Sequence, residues 1–138
     1  MRLSLTRSFG FRAAHRYWIP EWSAEKNRER FGQLTETHAH DYRCAVTVAG
    51  PMDGRTGMLM DLGLLDRILA TEALAGLDGK DLNRDVPEFG PGGTQPTCEA
   101  LARWVFLRVA PRLPPGVALL RVQLAEDDTL SAECSAPA

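Results

Sequence analysis

Long apolar runs, a disulfide framework and an excess of charge are all missing from this sequence. No hydrophobic stretch approaches the ~20 residues needed to span a bilayer, so a membrane helix is not expected. Met1 to Thr6 carries no hydrophobic signal-peptide core, which makes a cytoplasmic protein the expectation. The three cysteines, Cys44, Cys98 and Cys134, are odd in number and widely spaced, unlike the paired pattern of a disulfide scaffold. A net charge of −2, with no basic stripe, argues against nucleic acid or an anionic membrane as partner. Histidine is scarce too: the chain has 3.

What is present is an ordinary globular composition, 44% apolar and 25% charged, over 138 residues. That length suits one domain with its own core, residues 1–138, and no linker or internal repeat divides it.

The scarce histidines gather in two places. Leu3, Leu5, Arg7, Phe9, Phe11, Ala13 and His15 recur at the period of a half-buried strand, which carries His15 to its far end. His38 and His40 stand two residues apart at the mouth of a second strand-like run, Arg43 to Val48. Side chains at i and i+2 of a strand share a face, so the pair presents two imidazoles side by side. Three neutral imidazoles around an open fourth position form a catalytic zinc (Zn2+) arrangement. Surface or hydrogen-bonded histidines would give the same spacing.

Between these runs lies the aromatic loop Tyr17 to Trp22, and Ser23 can cap a short helix over 24–30 that Gly32 ends. After the turn-rich residues 50–57, Asp61 is placed to cap a helix with Leu62, Leu65, Ile68 and Leu69 on one stripe, fading near Gly76 to Lys80. Residues 85–95 read as loop. A second amphipathic helix starts near Thr97, with Leu101, Trp104, Val105 and Val109 inward, and ends at Pro111 to Pro115. Strands over 117–126 and 129–134 close the chain. The order β-β-α-α-β-β predicts an α+β fold with helices on one face of an antiparallel sheet.

Six segments, in order, resemble the 6-pyruvoyl-tetrahydropterin synthase family, which includes the 6-carboxytetrahydropterin synthases of queuosine biosynthesis. Phe11 to Arg16 resembles its F-x-A-x-H-R, and His38 to Tyr42 its H-G-H-N-Y. Thr56 to Leu62 is similar to T-G-M-V-x-(D/N)-(F/L), Leu77 to Asn83 to L-D-H-x-x-L-N, and Pro96 to Ala102 to P-T-x-E-N-x-A. Glu126 falls on the acidic residue of V-x-x-E-T.

The resemblance implies a T-fold: a four-stranded antiparallel sheet with two helices on one face, assembling into an oligomeric barrel, commonly a hexamer of two trimers with active sites between subunits. It implies zinc on His15, His38 and His40, and a pterin gripped by Glu126 with help from the Thr97–Cys98 backbone. The implied substrate is 7,8-dihydroneopterin triphosphate. The implied chemistry pairs Lewis-acid polarisation with proton transfer by a cysteine thiolate and an Asp-His couple.

The departures fall on that proton machinery. Leu34 stands at the cysteine position, and Gly79 follows Asp78 where the family has histidine. Three readings follow. One is a lyase with Glu36 as substitute base, beside Asp78, such as family members that release hydroxymethyl-dihydropterin for folate synthesis; an exposed loop carboxylate is the plainer role for Glu36. Another is the usual reaction rescued by Cys44, on the His40 face, or by Cys98, although both suit small buried hydrophobes. The last is an inactive zinc- and pterin-binding homologue. Glu99 can serve simply to complement a helix N-terminus, and Trp18, Trp22 and Trp104 suit packing or subunit contacts.

Overall fold

In the computed structural model, which describes residues 1–137, two long strands form the spine. Strand β1 (Leu3–His15) and strand β2 (His38–Gly50) pair antiparallel over their whole lengths, from Leu3 opposite Gly50 to His15 opposite His38. Between them, helix α1 (Ala24–Phe31) is capped by Ser23, whose hydroxyl accepts from Lys26 N–H at 3.1 Å. A 3₁₀ turn, Gly32–Thr35, then returns the chain to the sheet.

Helix α2 (Leu62–Leu69) starts at Asp61, whose carboxylate accepts from Gly63 N–H as the Asx cap predicts. A π-helical stretch, Ala70–Leu74, and a last α turn, Ala75–Leu77, carry it onward to end where the sequence reading has it fade, between Gly76 and Lys80. Helix α3 (Cys98–Val109) starts at Thr97, whose hydroxyl accepts from Ala100 N–H. Strands β4 (Ala118–Ala125) and β5 (Ser131–Ser135) complete an antiparallel hairpin beside β2. The turn between them uses Thr129, which the alternation assigns to the last strand, because Asp127 Oδ1 accepts from Thr129 and Leu130 N–H.

The sheet has one strand more than the four expected. Strand β3 (Lys80–Asp81) pairs parallel with β1 at Ala13 and Ala14, giving the order β3-β1-β2-β4-β5. Two bonds to Arg12 bring the chain to that edge: its N–H donates to Asp78 Oδ1 at 3.1 Å, and its carbonyl accepts from Gly79 N–H at 2.7 Å. Gly79 sits at φ 73°, the left-handed region that glycine enters without steric penalty. The segment 85–95 is also less irregular than expected, since the 3₁₀ turn Pro87–Phe89 drives Phe89 into the core.

The core lies between the sheet and the helices. Alternate residues of the strands (Phe11 and Ala13; Tyr42, Cys44, Val46 and Val48; Val122 and Leu124) meet Leu65, Leu69, Leu101, Val105 and Val109. Each fully buried Leu or Val contributes about 1.5–3 kcal/mol, so this layer holds the sheet rigid beneath the site.

Candidate metal and ligand site

The register that makes the sheet also builds the histidine cluster. His15 faces His38 across the β1–β2 ladder, and His40 lies opposite Ala13, one step along the same face. The ring centroids stand 4.6 Å (His15–His38), 5.1 Å (His15–His40) and 5.0 Å (His38–His40) apart, each pair edge-on. One ring nitrogen from each lies within 4.8 Å of the others. Tetrahedral zinc with bonds of 2.0–2.1 Å requires donor spacings of roughly 3.3 Å, within reach of small rotamer adjustments.

Tautomers can be read from the outer partners. His15 Nδ1 lies 2.8 Å from the Pro96 carbonyl, and His38 Nδ1 lies 2.8 Å from the Glu36 carbonyl. A carbonyl only accepts, so both Nδ1 atoms carry the proton and both Nε2 lone pairs are free. All three histidine Nε2 atoms are buried without a hydrogen-bond partner. Burial lowers the His15 pKa against the opposing pull of the Pro96 carbonyl, keeping that ring neutral as a metal requires. Oriented imidazoles with orphaned inward nitrogens are the donor set a divalent cation needs, so His15, His38 and His40 fit such an ion.

Glu126 follows the end of β4 and is the carboxylate beside this cluster. Its Oε2 lies 3.1 Å from His40 Nε2, outside hydrogen-bond alignment, and its side chain is only 10% exposed. Its Oε1 accepts from the Cys98 thiol at 3.3 Å. Burial, reinforced by that carboxylate, pushes the Cys98 thiol up to about 12. Thr97 borders the same corner, with its hydroxyl committed to capping α3.

The remaining candidates are placed differently. Glu36 is exposed on the approach to β2 and reaches the cluster through its carbonyl, on His38. Asp78 is exposed, with its carboxylate on Arg12 N–H at the sheet edge. Leu34 is exposed on its 3₁₀ turn, and its carbonyl accepts from Tyr17 N–H at 2.9 Å. Cys44 does share the β2 face of His40, but it is sealed in the core and burial raises its thiol to about 12.

Two phenols at the cluster escaped the sequence reading. Tyr42 is buried and stacked on Phe11, with its hydroxyl 3.2 Å from His15 Nδ1. Tyr17 packs edge-on against His15 at 5.1 Å. Burial raises both phenols well above the usual tyrosine value, so both are proton-bearing hydroxyls at neutral pH. The signal was available for Tyr42, two residues beyond His40 on the same face of β2, whereas Tyr17 lies past the end of β1, where strand alternation says nothing of it.

This architecture has relatives. The chain is 35% identical over 124 residues to a Drosophila melanogaster 6-pyruvoyl tetrahydrobiopterin synthase, covering 88% of this chain and 73% of that protein. It is 27% identical over 133 residues to a dihydroneopterin monophosphate aldolase of Pyrococcus furiosus, covering 96% of this chain and 97% of that one. A solved 6-pyruvoyl tetrahydropterin synthase of Caenorhabditis elegans superposes with a TM-score of 0.89 at 26% identity, over 99% of this chain and 97% of the other. The profile of the 6-pyruvoyl tetrahydropterin synthase family matches residues 4–137, and the chain belongs to that family.

Proposed function

We propose that this chain is a zinc-dependent lyase that cleaves or rearranges the side chain of 7,8-dihydroneopterin triphosphate or a related pterin. The observation that carries the reading is the convergence of three partnerless histidine Nε2 atoms beside the Glu126 carboxylate. The metal, held by His15, His38 and His40, would polarise a side-chain hydroxyl. Glu126 offers two oxygens to the paired N–H groups of a pterin ring, a charge-assisted geometry. Cys98, through its thiol on Oε1, holds that carboxylate in orientation, and Thr97 closes the same corner.

Glu36 is the base this reading favours. It lies two residues before His38, and its exposed carboxylate is free to turn toward a bound ligand. Similarity to 6-pyruvoyl tetrahydrobiopterin synthases and, at lower identity, to an aldolase of dihydroneopterin monophosphate keeps both phosphate elimination and carbon–carbon cleavage in this reading. Asp78 would act only on a site of a neighbouring subunit, because its carboxylate is exposed at the far edge of β1. A homo-oligomer, a hexamer with sites between subunits, would place it so.

A second reading, a zinc- and pterin-binding protein without turnover, draws on one observation. The positions of the family's thiol and imidazole hold Leu34 and Gly79, neither of which transfers a proton.

The test is a product assay with zinc-loaded protein and dihydroneopterin tri- and monophosphate, identifying pterins and released fragments by mass spectrometry. Turnover abolished in Glu36→Gln supports the carboxylate base, and the fragment names the reaction. Turnover unaffected by that change removes Glu36. Tight binding without turnover selects the second reading.

A further inference from the structure

Tyr17 is a polar side chain at the cluster that the proposed chemistry leaves unused. Arg16 and Trp18 stack on each other, the guanidinium 4.6 Å from the indole ring, while Tyr17 packs with His15. Three contacts fix its ring: His15 edge-on at 5.1 Å, Phe31 at 5.7 Å, and the backbone N–H on the Leu34 carbonyl at 2.9 Å.

Tyr42 makes the contrast. Its hydroxyl is spent on His15 Nδ1 and the residue is sealed, so it can only support the metal ligand. Tyr17 is half-buried, and among the described residues its hydroxyl takes no part in the side-chain hydrogen bonds of the cluster. A ring held against a metal-ligating imidazole, with a hydroxyl not engaged by the protein, is placed to meet something bound at the cluster.

We propose that Tyr17 is a ligand-contacting residue of this site, its hydroxyl donating a hydrogen bond to an oxygen of the ligand side chain lying between the three histidines and Glu126. The inference rests on the reading of the site as a pterin site. It assigns a donor to the segment beside Leu34, where the chain has no thiol. It also predicts a preference for ligands whose side chain carries a hydroxyl or carbonyl oxygen over an alkyl analogue.

The test titrates 7,8-dihydroneopterin, and 6-methyl-7,8-dihydropterin as the analogue lacking side-chain oxygens, against zinc-loaded wild type, Tyr17→Phe and Tyr17→Leu. Metal content and melting temperature are followed alongside. Tyr17→Phe keeps the ring, so zinc stoichiometry and melting stay at wild-type values. Its affinity for dihydroneopterin drops about 3- to 10-fold, the range of one hydrogen bond, while affinity for the methyl analogue is unchanged. Tyr17→Leu also loses the packing on His15 and Phe31 and melts lower. Equal dihydroneopterin affinity in wild type and Tyr17→Phe overturns the assignment and leaves the pterin reading standing, as does an equal loss for both ligands. Loss of zinc in Tyr17→Phe overturns it in favour of support for the metal. A wild type that binds neither pterin removes the pterin reading and this inference together.

Discussion

A cysteine's reactivity depends on its surroundings more than on its presence. Cys44 and Cys98 are buried, with thiols held near 12, whereas Cys134 is half-exposed on β5. The thiolate is the reactive form, so at pH 8 both buried thiols stay protonated and sheltered, and only a rise toward pH 12 would ionise them. Folded protein treated with iodoacetamide at pH 8 should therefore take up one label, on Cys134, and three after denaturation. Labelling of Cys98 in folded protein would reopen the thiol as a proton-transfer group. Asn27 is the other residue whose weight the sequence hides. It reads as one polar residue on a charged helix, yet it is fully buried: Oδ1 accepts from Ile19 N–H at 2.7 Å, and Nδ2 donates to the carbonyls of Ile19 and Ser23. Asn27→Ala strands those backbone groups and should cost about 2–3 kcal/mol in urea unfolding, where an exposed helix substitution costs under ~0.5.

At the scale of elements, the caps and alternations were legible because their causes are local. Ser23, Asp61 and Thr97 each hold a nearby N–H, as their side chains dictate wherever a helix starts. The π-helical form of residues 70–74 and the short strand β3 were not legible. The first goes with packing of that stretch against α3, and the second depends on Arg12 meeting Asp78 and Gly79 from 66 residues away. The His-x-His spacing announced a shared face, but the partner of that face, His15, was only nominated. Antiparallel register then set it opposite His38.

For the whole molecule, a metal bound as proposed would be a lever on stability. A cation that binds only the folded chain adds RT ln(1 + [L]/Kd), about 2.7 kcal/mol at a hundredfold excess over Kd. For a chain of this size that is a rise in Tm on the order of 10 °C. Scanning calorimetry of chelator-stripped protein before and after zinc addition should show it, and His38→Ala should abolish it. An unchanged Tm in the wild type would dismiss the histidine cluster as a metal site. No helix of residues 1–137 is long and apolar enough to cross a membrane.

The sequence by itself determined the strand faces and the helix starts, because side-chain periodicity and capping act over a few residues; it nominated three imidazoles and, through the family resemblance alone, a distant carboxylate. Only the tertiary structure decided which nitrogens point inward, that Glu126 lies against His40 and Cys98, that Cys44 is sealed away, and that two phenols join the cluster. Those outcomes depend on strand register and on packing between segments far apart in the chain, 81 residues for His15 and Pro96, and no local pattern encodes a distance across the fold.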